Sequence, residues 1–72
     1  MVTIEFYKSD AGGVERVTET FRMPRFIDRQ SFVLWAQIAV PNRRGSPDAA
    51  ALPDAVRAFD ESGRKLFQWS IR

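Results

Sequence analysis

Apolar and polar positions alternate at the start of the chain, with Val2, Ile4 and Phe6 set against Thr3, Glu5 and Tyr7. A period of two places one apolar face on a sheet, so this segment is predicted to be a strand. Ser9, Asp10, Ala11, Gly12 and Gly13 follow, residues that turn easily and tolerate positive φ. Beyond them Val17, Phe21 and Met23 share a face with Glu15 and Glu19, which reads as a second strand over 14–23 and closes a hairpin. Pro24 then ends ladder donation. Asp28 stands in the position of a helix N-cap, with Ile27 before it and Phe32 four helical positions after it, the spacing of a hydrophobic staple. Phe32, Trp35, Ala36 and Ala39 recur at i, i+3, i+4 and i+7, and Pro41 is expected to stop the run, giving a helix over 29–39. Ser31 to Val40 is almost wholly apolar and contains the β-branched Val33, Ile38 and Val40, so a buried strand competes. The staple and the length of the run favour the helix, since strands are commonly about five or six residues long.

Residues 41–54 hold three of the four prolines and read as a loop, with one helical turn starting at Ser46 as N-cap and Pro47 at the first helical position. Val56 to Phe59, the turn Asp60-Glu61-Ser62-Gly63 and Leu66 to Ile71 form a second hairpin, with Phe67, Trp69 and Ile71 on one face. A helix over 53–62 closed by Gly63 competes here, because Leu52, Val56 and Phe59 also fit helical spacing. The expected architecture is α+β: ββαββ, a four-stranded antiparallel sheet with one helix packed on one face, forming a single small domain over residues 1–72. Trp35 and Trp69 are read as core. The helix is unusually apolar, only Gln37 being polar between Phe32 and Val40. Val33 and Leu34 should therefore point away from the face centred on Phe32 and Ala36, needing cover from a hairpin, the long loop or another chain.

At 72 residues the chain buries only about 60% of the surface its unfolded form exposes, which leaves one thin core and argues against a deep substrate cleft. There is no cysteine, so packing rather than disulfides or thiolate-bound zinc must hold the fold, and a reducing, cytoplasmic setting fits. The first residues lack a basic region followed by an apolar one, and no apolar run approaches the ~20 residues of a membrane span, so neither export nor membrane insertion is expected. Histidine is also absent, removing with cysteine the commonest acid-base and nucleophilic groups. No Gly-x-Ser-x-Gly, Ser-x-x-Lys, Walker or paired-carboxylate helix motif occurs. Gly12-Gly13 precedes no helix, and Asp60-Glu61 suits a turn better than a hard-cation site. The expectation is a chain without catalytic, cofactor or metal sites.

The charge distribution redirects attention to binding. Lys8 and Arg16 face four acids over residues 1–21, whereas Arg22, Arg25, Arg29, Arg43 and Arg44 stand against Asp28 alone over 22–44, concentrating the net charge of +2 in the middle third. Guanidinium offers five donors in a planar fork suited to carboxylate and phosphate. Arg25 and Arg29 flank the predicted helix N-terminus, already electropositive, while Arg43 and Arg44 leave its other end, so the five form an extended stripe at best; a solvated face with dipole compensation is the plainer reading. Phe26 lies between Arg25 and Ile27 and is either an exposed hot spot or tucked against the core edge. The candidate partner-binding residues are therefore Arg22, Arg25, Phe26, Arg29, Arg43 and Arg44. Size, an over-apolar helix and arginines beside an aromatic favour a non-enzymatic protein-binding module. One candidate class is a phage or mobile-element inhibitor of a host defence complex, of the anti-CRISPR or anti-restriction type. A nucleic-acid-binding domain, with arginines on phosphates and Phe26 or Tyr7 stacking a base, is the first alternative. A homodimer joined through helix backs or a sheet edge is the second.

Overall fold

The structure is a computed structural model that describes residues 1–44 and 52–71, with Arg44 described in its backbone only. The order of elements is β1 (Val2–Ser9), β2 (Glu15–Met23), α1 (Arg29–Arg44), β3 (Ala55–Phe59) and β4 (Lys65–Ser70). The strands form one antiparallel sheet in the order β2-β1-β3-β4, so the expected ββαββ fold is the observed one. The two hairpins are joined through their first strands, with Ile4 opposite Ala58 and Phe6 opposite Val56.

Both hairpin turns have the same construction. In each, an Asp-x-x-Gly segment closes with the glycine amide donating to the aspartate carbonyl at 3.1 Å, Gly13 to Asp10 and Gly63 to Asp60. Each aspartate carboxylate accepts the backbone amides two and four residues on, all at 2.9 Å: Gly12 and Val14 on Asp10, Ser62 and Arg64 on Asp60. Gly13 and Gly63 take φ of 80° and 87°, a region closed to most residues with a Cβ. The segment over 55–59 is thus a strand, and the competing helix over 53–62 does not form.

Val2, Ile4, Phe6, Val56 and Ala58 from the two central strands meet Phe32, Ala36, Ala39 and Val40 of α1 to make the core. Phe21, Met23, Leu66, Phe67 and both tryptophans pack around it. Rings run through it in a chain: Phe67 stacks on Phe32 with centroids 5.4 Å apart, Phe32 meets Trp35 at 6.1 Å, and Trp35 meets Phe6 at 5.8 Å. Such pairs add roughly 0.5–1.5 kcal/mol each beyond their burial.

Several local expectations are corrected. The helix does not stop at Pro41 but continues to Arg44. Arg43, one turn past Ala39, lays its guanidinium 4.0 Å over the Phe6 ring, bonds Glu19 at 3.1 Å and donates to the Ala39 carbonyl at 3.2 Å. These tertiary contacts outweigh the lost amide of a proline in the last turn. The Ile27–Phe32 staple does not form: Ile27 is 94% exposed while Phe32 is fully buried, and Phe26 takes the packing role instead. A bulge in β2 sets Phe6 opposite Glu19 but Tyr7 opposite Val17. Val17 and Glu15 thereby leave the face of Phe21 and Met23 for the opposite side of the sheet. Val33 is partly buried against the core, so the outward apolar positions of α1 are Leu34 and Ile38. Ile71 lies one residue past the end of β4 and is 47% exposed, its amide donating to the Asp54 carbonyl at 2.9 Å. The helical turn expected after Ser46 falls outside the described residues.

Candidate functional site

The corner between β2 and α1 presents the most unusual surface. Pro24 has no amide to donate, so the chain leaves the sheet after Met23 and crosses to the helix in five residues. Phe26 turns inward, its ring edge-on to Phe32 at 5.2 Å and tilted against Trp35 at 5.3 Å. Asp28 caps the helix: its carboxylate accepts the Ser31 amide at 2.8 Å, and its carbonyl receives the first helical bond, from Phe32, at 3.3 Å. Those Ser31 hydrogen bonds, backbone first and then side chain, hold the Asp28 carboxyl below its ordinary pKa. Ile27 is thus displayed between two neighbours that are each fixed, one by packing and one by capping. Arg25 and Arg29 flank it and are exposed.

Arg25 also lines a shallow depression of about 270 Å³ with Met1, Val2, Asp60, Glu61 and Ser62. Arg22 lines a second, of about 360 Å³, whose walls include Glu5, Phe59, Asp60 and Glu61. The Met1 amine bonds Glu61 at 3.2 Å between them. Acids from the second hairpin turn are therefore interleaved with the arginines, and the end of the molecule carries mixed charge. Asp60 itself is held below its ordinary pKa, chiefly by the Ser62 hydroxyl and then by the Arg64 amide.

The six expected site residues do not converge. Arg22, Arg25, Phe26 and Arg29 lie at the end of the sheet where α1 begins. Arg43 is at the far end of the helix and is occupied by Phe6, Phe21 and Glu19. Arg44 follows it, and its side chain is outside the described residues. Phe26 is half-buried. Tyr7 is only 2% exposed on the sheet face turned from α1, with the Arg57 guanidinium 4.4 Å above its ring and the Gln68 amide donating to its hydroxyl. Tyr7 therefore offers no open face for stacking, and the Phe26 ring is engaged by Phe32 and Trp35.

Sequence reasoning missed Ile27 as a displayed side chain, because the staple spacing assigned it inward. It also missed Arg57, which bridges Glu5 at 2.9 Å and Glu15 at 3.0 Å across three strands. Desolvation opposes that charge, but the two glutamates more than offset it and raise the Arg57 pKa. Only the β2 bulge brings Glu15 to this face. Among the described residues no group of three or more Asp or Glu is placed to hold a metal ion, and no helix is long and apolar enough to cross a membrane. No family model, curated protein or solved structure matches the chain.

Proposed function

We propose that the chain is a protein-binding module whose contact centres on Ile27 between Arg25 and Arg29. The observation that carries this reading is the 94% exposure of an isoleucine whose neighbours on both sides are fixed. Such a side chain gains roughly 1.5–3 kcal/mol when a partner buries it, and its preset geometry lowers the ordering cost of association. The flanking guanidiniums ask for an apolar pocket rimmed by carboxylates or carbonyls. Interleaving of Asp60 and Glu61 with Arg22 and Arg25 suits a partner of mixed charge rather than a polyphosphate. A short arginine-rich chain of this kind fits the class of small inhibitors with which phages and mobile elements cover host defence complexes, and those complexes are the first partners to test.

The test places a photo-crosslinking residue at position 27 of the full chain and exposes it to nuclease-treated host lysate and to purified defence complexes. A discrete protein adduct should form, and competition with unmodified chain should remove it. The Arg25→Glu/Ile27→Asp variant should fail to compete while melting within a few degrees of the parent, as exposed substitutions shift stability by only about 0.5 kcal/mol. Adducts from positions on the sheet but none from position 27, or full competition by the variant, would overturn the assignment.

A further inference from the structure

We infer that the outward face of α1 is a two-fold interface with a second copy of the chain, Leu34 of each helix packing against Ile38 of the other. Leu34 and Ile38 are 56% and 66% exposed, and Pro41 is exposed beside them. At i, i+4 and i+7 the three form one apolar stripe on the side away from the sheet. From Gln30 to Asn42 the helix carries no ionisable side chain, in a chain that is 28% charged. Arg43 is turned under the helix onto Phe6 and Glu19, and Arg29 lies five residues, about 140° of helical rotation, from Leu34.

The absence of charge selects the occupant. An isologous interface must complement itself, and a charged face would set like charges near its own two-fold axis. Here the exposed polar groups are the amides of Gln30, Gln37 and Asn42, each both donor and acceptor and therefore able to pair with its own kind. A charged heterologous partner would find nothing on this stripe to answer it. The i, i+4 ridge suits a crossing near −50°, with the ridges of both helices interleaved. One ridge covers well under the ~800 Å² per partner of a standard interface, so the dimer is weak and forms at high concentration. Ile27 lies in the connection before α1, outside this stripe, so this inference and the proposed function stand or fall separately.

Sedimentation equilibrium on the full chain, from about 10 µM to about 1 mM, should show the mass rising from 8.3 kDa toward twice that value. Leu34→Glu and Ile38→Glu should each weaken association at least tenfold, with the melting temperature of the dilute protein retained. The two-fold arrangement brings Gln37 close to its own copy. Gln37→Glu and Gln37→Lys should each associate less than the parent, and a mixture of the two should associate more than either alone. A monomer at the highest concentration overturns the inference, including one whose Leu34 and Ile38 methyls prove shielded by another part of the same chain. So does a dimer indifferent to Leu34→Glu, or a Gln37 mixture no stronger than its components.

Discussion

Tyr7 shows how an aromatic residue can be buried on the supposedly wet side of a sheet. It alternates with Phe6 and so faces away from α1, yet the Arg57 guanidinium, itself tied to Glu5 and Glu15, lies over its ring, and Gln68 donates to its hydroxyl. Burial disfavours the phenolate and raises the Tyr7 pKa above its ordinary 10.0, while the Gln68 hydrogen bond and the Arg57 charge pull the other way. Because this is the one tyrosine in the chain, phenolate absorbance reports it alone. The midpoint in the folded protein should lie above 10.0, and unfolding in denaturant should return it there. By linkage, a group whose pKa is raised on folding contributes stability that is fully present below its unfolded pKa and declines as pH rises past it. The melting temperature should therefore fall above about pH 10, and less steeply for Tyr7→Phe than for the parent. A folded-state midpoint at or below 10.0 would mean that water reaches the hydroxyl.

At the scale of elements, the strands and turns were legible because their signals are local. Alternation in 2–6 and the two Asp-x-x-Gly turns each specify their structure within a few residues, and the structure builds both turns with the same bonds. The end of α1 was not legible, because what extends it is 24 residues away in sequence: Arg43 reaches Glu19 on β2. The β2 bulge was hidden for a similar reason, being defined by pairing with β1 rather than by its own pattern. The site was half legible; composition pointed to the arginines of the corner, while the staple spacing concealed Ile27, which stands directly before the Asp28 cap where a staple would turn it inward. Pro41 makes the helix end testable. Its ring removes the amide that the Gln37 carbonyl would accept from, at a cost of up to about 3 kcal/mol in a helix interior and less in a last turn. Pro41→Ala should thus raise stability by about 1 kcal/mol, or roughly 4–8 °C for a domain of this size. If Arg43 is what holds that turn, Arg43→Ala should lower the midpoint in the parent and lower it less in the Pro41→Ala background, where the backbone bond restores helicity. A Pro41→Ala protein no more stable than the parent would indicate that the missing amide costs this helix end nothing.

For the whole molecule, the decisive feature is how the fold partitions its cationic groups. In sequence, Arg22, Arg25, Arg29, Arg43 and Arg44 form one basic third. In the structure Arg43 is consumed internally at one end, Arg57 is locked between two glutamates on the sheet, and the arginines left exposed at the other end share their surface with Asp28, Asp60 and Glu61. Five arginines engaging phosphates together would make the logarithm of the nucleic-acid affinity fall with the logarithm of salt at a slope of about −3.5 to −4.5, each contact contributing roughly −0.7 to −0.9. Of those five only Arg22, Arg25 and Arg29 gather at one end; with Arg64 of the neighbouring turn they make four exposed guanidiniums with carboxylates among them, so the slope should be no steeper than about −3.6 and binding should be lost near physiological salt. Titration of a fluorescent single strand and of a duplex between about 20 and 200 mM salt measures this directly. A slope of −4 or steeper, reduced by about one unit on Arg43→Ala, would require Arg43 to leave Phe6 and Glu19 on binding. Nucleic acid would then replace protein as the ligand, reached through a rearrangement of the helix end rather than through the surface that the fold presents at rest.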